Sequence, residues 1–344
     1  MSDLGRLRDL VRAARLYYEE NLSEREIAVS LGTSRSTVSR MLAEAKRRGI
    51  VKISFASGNT AGSGAGSELQ RAFGLKDLVL VPAIDGGGDA RLKERLGAAA
   101  ASYLSEVIRP GHKVGISWGT TLFEVALRLR PARIPGVCVV QLNGCVGQGG
   151  ASYLGAQVLQ MIATKLGAKA LSFPAPAIVQ DPALSEAFSK DPSIAEALEI
   201  ARGSDVAVFT VGVVDPACVL VGAGYLTPED MKNLQIRGAV GDICSRFFDS
   251  LGRICDPTLD KRTLGLSLSN LATIPLKITV AGGGQKVAGI LGAIRAGYVD
   301  VLITDETTAR DVMNLARHQA PSVNQVRVNA RTDSETPLGG VALL

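Results

Sequence analysis

Residues 22–52 run Leu22-Ser-Glu-Arg-Glu-Ile-Ala-Val-Ser-Leu-Gly-Thr-Ser-Arg-Ser-Thr-Val-Ser-Arg-Met-Leu-Ala-Glu-Ala-Lys-Arg-Arg-Gly-Ile-Val-Lys52. Two short amphipathic helices joined by a glycine turn follow from that order. Ser23 with Glu26 three residues on is a capping box, in which each side chain satisfies a free backbone N–H at a helix start. Ile27, Ala28 and Leu31 give the first helix one apolar face. Gly32 can end it with positive φ, and Ser34 can cap a second helix. That helix turns Val38, Met41, Leu42 and Ala45 to one side. Thr33, Ser34, Arg35, Ser36, Thr37, Ser39 and Arg40 make the turn and the opposite face short, polar and cationic, which suits phosphates and base edges. The pattern is that of a helix-turn-helix whose second helix reads the major groove of double-stranded DNA. A solvated helical hairpin is the plainer alternative, but caps, turn and basic face all agree with the first reading.

The preceding stretch, 4–20, sets Leu7, Leu10, Val11, Ala14, Tyr17 and Tyr18 on one expected face, as a first helix packed across the other two. Ile50-Val-Lys-Ile-Ser-Phe55 alternates after a glycine and is expected to be the strand of a wing, with Lys46, Arg47, Arg48 and Lys52 near the DNA backbone. Residues 1–52 hold eleven Lys/Arg and seven Asp/Glu, against 27 and 26 in the remainder. Most of the net charge of +5 therefore lies on this segment, as an electrostatic DNA footprint requires.

Residues 57–67, Ser-Gly-Asn-Thr-Ala-Gly-Ser-Gly-Ala-Gly-Ser, read as a flexible linker. The expected domains are thus 1–56, a (winged) helix-turn-helix; 57–67, the linker; and 68–344, a larger domain. In the last, apolar strands near Leu78–Pro82, Lys113–Ser117, Val137–Leu142, Ala168–Leu171, Asp205–Val211, Ile278–Ala281 and Val299–Thr304 are separated mostly by helical segments. This predicts a Rossmann-like parallel sheet covered on both faces. With no signal peptide, no apolar run of spanning length and five cysteines lacking metal or disulfide spacing, a reduced cytoplasm is the expected compartment.

Ligands of such sheets bind beyond the strand carboxyl ends, where several loops carry chemistry. In Val114-Gly-Ile-Ser-Trp-Gly-Thr-Thr-Leu122, Gly119 lets the backbone approach a ligand, while Ser117, Thr120, Thr121 and a helix start suit a phosphate. Alone, the loop reads equally as a Thr-capped turn. Gln141–Gly150 offers Asn143, able to bond a hydroxyl, beside Gly144. In Val280-Ala-Gly-Gly-Gly-Gln-Lys-Val-Ala288, Gly283 and Lys286 read as a second anion cradle, without the spacing of a P-loop or a dinucleotide fingerprint, or else Lys286 is a solvated surface lysine. Gly238-Ala-Val-Gly-Asp-Ile-Cys244 sets Asp242 on a glycine-flanked turn, where it can meet sugar hydroxyls or cap a helix. Asp305, in Leu302–Glu306, is expected to cap the following helix. His112 and His318 lie outside these loops. No catalytic constellation, metal motif or cofactor signature is present.

Taken together, these stretches resemble the SorC family of bacterial sugar-responsive transcriptional regulators, also grouped with the deoxyribonucleoside regulators. The matching stretches are Leu22–Lys52, Gly115–Thr121, Gln141–Gly144, Gly241–Ile243, Ala281–Lys286 and Leu302–Glu306, in that order. The resemblance implies an effector domain similar in fold to sugar-phosphate isomerases, glucosamine-phosphate deaminases and CoA transferases. It also implies a phosphorylated sugar or polyol as effector and self-association as a dimer or tetramer. By position, Ser117, Gly119, Thr120, Thr121, Gly283 and Lys286 would hold the phosphate, and Asn143, Gly144 and Asp242 the sugar. Cys145 stands where the family often has a second glycine, and Val211–Pro216 lacks the usual glycine pattern. An enzyme of the isomerase or deaminase type is the rival expectation. It needs a general base near a sugar carbon, for which Asp242 is the one obvious candidate.

Overall fold

The computed structural model describes residues 3–18, 22–48, 50, 64–83, 88–146, 154–172 and 174–319. Two compact units, Met1–Ser57 and Gly58–Leu344, divide the chain.

The first unit holds helices Asp3–Tyr18, Glu24–Ser30 and Arg35–Arg47. The capping box is present: Ser23 N–H donates to Glu26 Oε2 at 2.8 Å, and Glu26 N–H donates to Ser23 Oγ at 3.3 Å. This bonding also holds the Glu26 carboxyl below its ordinary pKa. Gly32 has φ +60, and Ser34 Oγ accepts the Thr37 N–H at 3.2 Å. Ala13, Ile27, Ala28, Val38 and Leu42 form one small core, and Leu10, Ala14 and Ala45 another. The first helix is rotated from the expected face. It buries Leu10, Ala13 and Ala14, while Leu7, Val11, Tyr17 and Tyr18 are exposed. The alanines allow close approach to the third helix, which a face rich in Leu and Tyr would not. Beyond Ile50, the expected wing lies outside the described residues, as do 57–63 of the expected linker. Ala65–Ser67, assigned to the linker on composition, instead open the helix Ala65–Phe73. Leu69 of that helix is fully buried, and Gly66 passes so close to Leu80 that a Cβ would sit 2.5 Å from its Cδ1.

In the second unit, nine strands can be named among the described residues: β1 Asp77–Val81, β2 Lys113–Ile116, β3 Cys138–Gln141, β4 Lys169–Leu171, β5 Val206–Phe209, β6 Ala239–Ile243, β7 Arg246–Asp249, β8 Leu276–Val280 and β9 Val301–Asp305. Seven form one sheet, β1-β9-β8-β5-β2-β3-β4, with every neighbouring pair parallel. All seven expected strands are in it. β5 and β9 are buried along their whole length, as strands covered on both faces must be. One apolar core, containing Leu104, Leu122, Val125 and Val158, lies under helices Gly88–Val107, Thr120–Arg128 and Leu154–Leu166. Another, with Leu69, Ile290, Leu291 and Val312, lies under Ala65–Phe73, Val287–Arg295 and Glu306–His318.

From β2 the chain moves outward through β3 to β4; from β5 it moves the other way, through β8 to β9. The adjacent pair β2–β5 is therefore the topological switch point, where departing connections leave a crevice above the carboxyl ends.

The stretch Gly238–Cys244 departs from expectation. It is not a turn but β6, paired antiparallel with β7, so Asp242 stands on a strand. The two hairpin turn residues are Cys244 and Ser245, both with positive φ (53 and 66). Turns of that kind normally carry Gly or Asn, so the sequence gives no signal for the hairpin.

Candidate functional site

A cavity of about 320 Å³ opens in the crevice between β2 and β5. Its walls come from the connections after β2, β3, β5 and β8, from the β6–β7 turn, and from the start of helix Gly88–Val107.

Strand β2 stops at Ile116, and Gly119 (φ 151) turns the chain into helix Thr120–Arg128. The first ladder bond of that helix is Phe123 N–H to Gly119 O at 2.9 Å. The N–H groups of Thr120, Thr121 and Leu122 precede it and form a partial positive charge. Ser117, Thr120 and Thr121 add hydroxyls to the same wall. Opposite stands Lys286, from the 3₁₀ turn Gly284–Lys286 after β8. Its Nζ donates to Thr210 Oγ1 at 3.2 Å. Burial and the nearby Lys93 charge bring its pKa down to about 8, against the opposing effects of Asp242 and Asp89.

In the same cavity, Asp242 accepts the Ser245 N–H at 3.0 Å. Its strand bridges Gly212, whose N–H donates to Asp242 O at 2.8 Å. A Cβ on Gly212 would lie 1.9 Å from Asp242 Oδ1, so any larger residue there would displace the carboxylate. The carboxylate keeps some surface but is hemmed in by protein, and burial pushes its pKa up to about 6 against the opposing effects of the Ser245 N–H and Lys286. Asn143 Oδ1 and Ser245 Oγ are buried on this wall with no protein partner. An unpartnered buried polar atom is costly, and the two residues that carry these atoms both line the cavity, although the atoms themselves are closed off from solvent. Val213, Cys218, Val219 and Leu220 form the apolar side. Burial raises the Cys218 thiol and pushes that of Cys244 up to about 12, so both stay protonated at neutral pH.

Of the effector residues expected from sequence, Ser117, Gly119, Thr120, Thr121, Asn143, Asp242 and Lys286 line this one cavity. Gly283 and Gly144 do not. The Gly283 N–H donates to Thr308 Oγ1 at 2.7 Å, and that hydroxyl in turn donates to Asp305, the cap of the following helix. Gly283 therefore shapes the turn that carries Lys286. Gly144 packs where a Cβ would lie 2.4 Å from Pro176 O, and its carbonyl accepts Trp118 Nε1–H at 2.8 Å. The sequence reading missed Asp89, Lys93, Thr210, Gly212, Ser245 and Gln285, which also line the cavity. Only a knowledge of strand order would have drawn these together.

In the first unit, Ser34, Arg35, Ser36, Ser39 and Arg40 are exposed, and Thr33 and Thr37 are half-buried. Arg35 Nε pairs with Glu24 at 3.2 Å, and Arg40 Nε donates to Ser36 O at 3.2 Å. Ser34 Oγ is shared between Ser36 and Thr37, so it fixes the turn.

A parallel α/β sheet with a cation-and-hydroxyl crevice at its switch point defines a binding domain for small polar ligands. Residues 62–314 match the family described as "Putative sugar-binding domain". The chain belongs to the SorC/deoxyribonucleoside-regulator family of sugar-binding bacterial transcriptional regulators. It is 37% identical to the deoxyribonucleoside regulator of Bacillus subtilis (strain 168) over 306 residues, 88% of this chain and 96% of that protein. It is 29% identical to the sorbitol operon regulator of Klebsiella pneumoniae over 315 residues, 90% and 98% of the two chains. The crystal structure of the full-length sorbitol operon regulator SorC from Klebsiella pneumoniae superposes with a TM-score of 0.71 at 27% identity, covering 91% of this chain and 99% of that one. No helix among the described residues is long and apolar enough to cross a membrane.

Proposed function

We propose that this chain is a transcriptional regulator of a carbohydrate catabolic operon, governed by a phosphorylated sugar or polyol that occupies the switch-point cavity. The observation that carries this reading is the joining of two unlike sets of groups in one cavity. Lys286 and the start of helix Thr120–Arg128 suit a phosphate, and Asp242, Asn143 and Ser245 suit hydroxyls. At about 320 Å³ the cavity lies at the small end of the roughly 300–1,000 Å³ typical of ligand pockets. That favours a single sugar with its phosphate over a nucleotide.

Helix Arg35–Arg47 is the reader of double-stranded DNA, with Arg35, Ser36, Ser39 and Arg40 turned outward and Thr33, Ser34 and Thr37 forming its entry. Pairs of such helices in a dimer or tetramer would meet repeated half-sites, and the effector domain would supply the self-association. The ligand acts only through unequal affinity for the DNA-competent and DNA-incompetent arrangements. A coupling of about 1–3 kcal/mol changes operator affinity about 5- to 150-fold. Repression relieved by ligand is the favoured direction, in the cytoplasm, where phosphorylated sugars are made.

The test uses the full chain. A thermal-shift screen over free and phosphorylated sugars and polyols finds the ligand, and binding to a duplex selected from a random pool measures its effect. A phosphorylated hit that weakens duplex binding supports the proposal; stabilisation by free sugars alone overturns it. Incubating the hit with the protein and watching for turnover tests the isomerase-like alternative, in which Asp242 would act as base.

A further inference from the structure

Lys93 was not singled out by sequence, and no motif marks it. It lies on helix Gly88–Val107, one turn before Gly97. Gly97 brings that helix against Thr120–Arg128 so closely that a Cβ would sit 2.6 Å from the backbone carbon of Glu124. Lys93 is thereby carried into the cavity wall formed by Ser117, Thr120, Thr121 and Lys286. Its side chain is 24% exposed and pairs with Asp89 of the same wall, whose side chain is 68% exposed. Lys286 has only the Thr210 hydroxyl, with no carboxylate within ion-pair distance among the described residues. The Lys93 charge also acts on Lys286, helping to lower its pKa. Asn143 and Ser245, each with an unpartnered buried oxygen, line the same cavity, a polar feature separate from its charges.

Resting on the reading above, we infer that Lys93 and Lys286 grip the effector phosphate from two different helical elements, and that Asp89 competes with the ligand for Lys93. Two ammonium groups on one wall repel each other until an anion comes between them. A phosphate monoester, carrying a charge of about −1.5 to −2 at neutral pH, balances both. A sugar acid carries one negative charge and a free sugar none. Lys93 is thus a specificity-determining residue that selects phosphate esters over sugar carboxylates. Asp89 holds Lys93 in the empty cavity, and the ligand must displace it, so Asp89 lowers affinity while keeping Lys93 in place.

The experiment titrates wild type, Lys93→Gln and Asp89→Asn with inorganic phosphate, ribose 5-phosphate, 2-deoxyribose 5-phosphate, sorbitol 6-phosphate and gluconate, reading heat and Trp118 fluorescence. Unchanged unfolding midpoints of the apo variants establish that both fold. The inference expects Lys93→Gln to weaken the best phosphate ester about tenfold or more, the loss of one charge-assisted contact, with gluconate changed much less. It expects Asp89→Asn to tighten the same ester several-fold, which loss of a merely structural pair would not do. Wild-type binding that neither variant alters overturns the inference and leaves the proposed effector class standing. Failure of every phosphate probe to bind wild type overturns both.

Discussion

The three-helix unit and the switch-point cavity are built on opposite plans. In the first, the bonds that shape the caps and the turn join near neighbours, Ser23 with Glu26, Ser34 with Thr37 and Arg40 with Ser36, and only Arg35 among these residues reaches eleven positions back, to Glu24. In the second, the contacts that assemble the cavity join residues distant in sequence, Lys286 with Thr210, Gly212 with Asp242 and Asn143 with Gly265, while Asp242–Ser245 and Lys93–Asp89 are local. The local unit satisfies its polar groups and leaves an outward cationic face. The cavity leaves buried acceptors unpartnered and holds a carboxylate and an ammonium away from their ordinary pKa values. A reading surface needs a rigid, pre-satisfied scaffold. A ligand pocket needs polar groups whose best partner is yet to arrive, and it sacrifices some stability for that.

The strongest way to break this contrast is Lys286→Ala. Loss of a largely buried cation from the proposed phosphate site should cost about 1.5–3 kcal/mol of ligand affinity, roughly 10- to 150-fold, while duplex binding by the apo protein is unchanged; calorimetry and a duplex titration measure the two. Equal ligand affinity in the variant would move the phosphate site elsewhere.

Asp242→Asn probes the stability side. Folding raises the pKa of Asp242 from 3.8 to about 6, so the folded state holds its proton more tightly than the unfolded chain. The penalty is absent below about 3.8, grows as pH rises from there to about 6, and is complete above that. At pH 7.5 the apo variant should therefore be more stable than wild type, by up to about 2–3 kcal/mol. The gain should shrink towards pH 4, as chemical denaturation at both pH values would reveal, and the sugar phosphate should bind the variant more weakly.

Arg40→Ala addresses the reading face. Duplex affinity should fall by about 1 kcal/mol or more, and ligand affinity should stay the same. An unaltered duplex titration at several salt concentrations would remove this helix from the interface. The smallest effect is expected for Ser23→Ala, which deletes one half of a local cap and should cost about 1 kcal/mol in the three-helix unit. Ligand binding should not register it; if it does, the two plans are less separate than the hydrogen bonds indicate.

The ease with which each region could be read follows the same division. The capping box, the Gly32 turn and all seven sheet strands were evident in the sequence, because each is written in spacings of two, three or four residues. The face of the first helix was only partly right: Leu10 and Ala14 are buried as expected, but Leu7 and Val11 lose to Ala13, and only packing against the third helix decides between them. The loops carrying Ser117, Asn143, Asp242 and Lys286 stood out by their glycines and polar residues. Whether they met could not be judged from the residues alone; that expectation came through likeness to a family. Lys93 and Asp89 carry no local signal, being two charged residues in an ordinary helix.

The sequence alone determined the seven strands of the parallel sheet, the caps and turn of the small unit and that unit's charge, because backbone hydrogen bonding and apolar periodicity act over a few residues. Tertiary structure decided the site. The order β1-β9-β8-β5-β2-β3-β4 gathers residues from Asp89 to Lys286 around one crevice. Close glycine contacts such as Gly97 on Glu124 and Gly212 on Asp242 then fix which side chains face it. Neither depends on neighbours along the chain; both follow from how a twisted parallel sheet must be connected and covered.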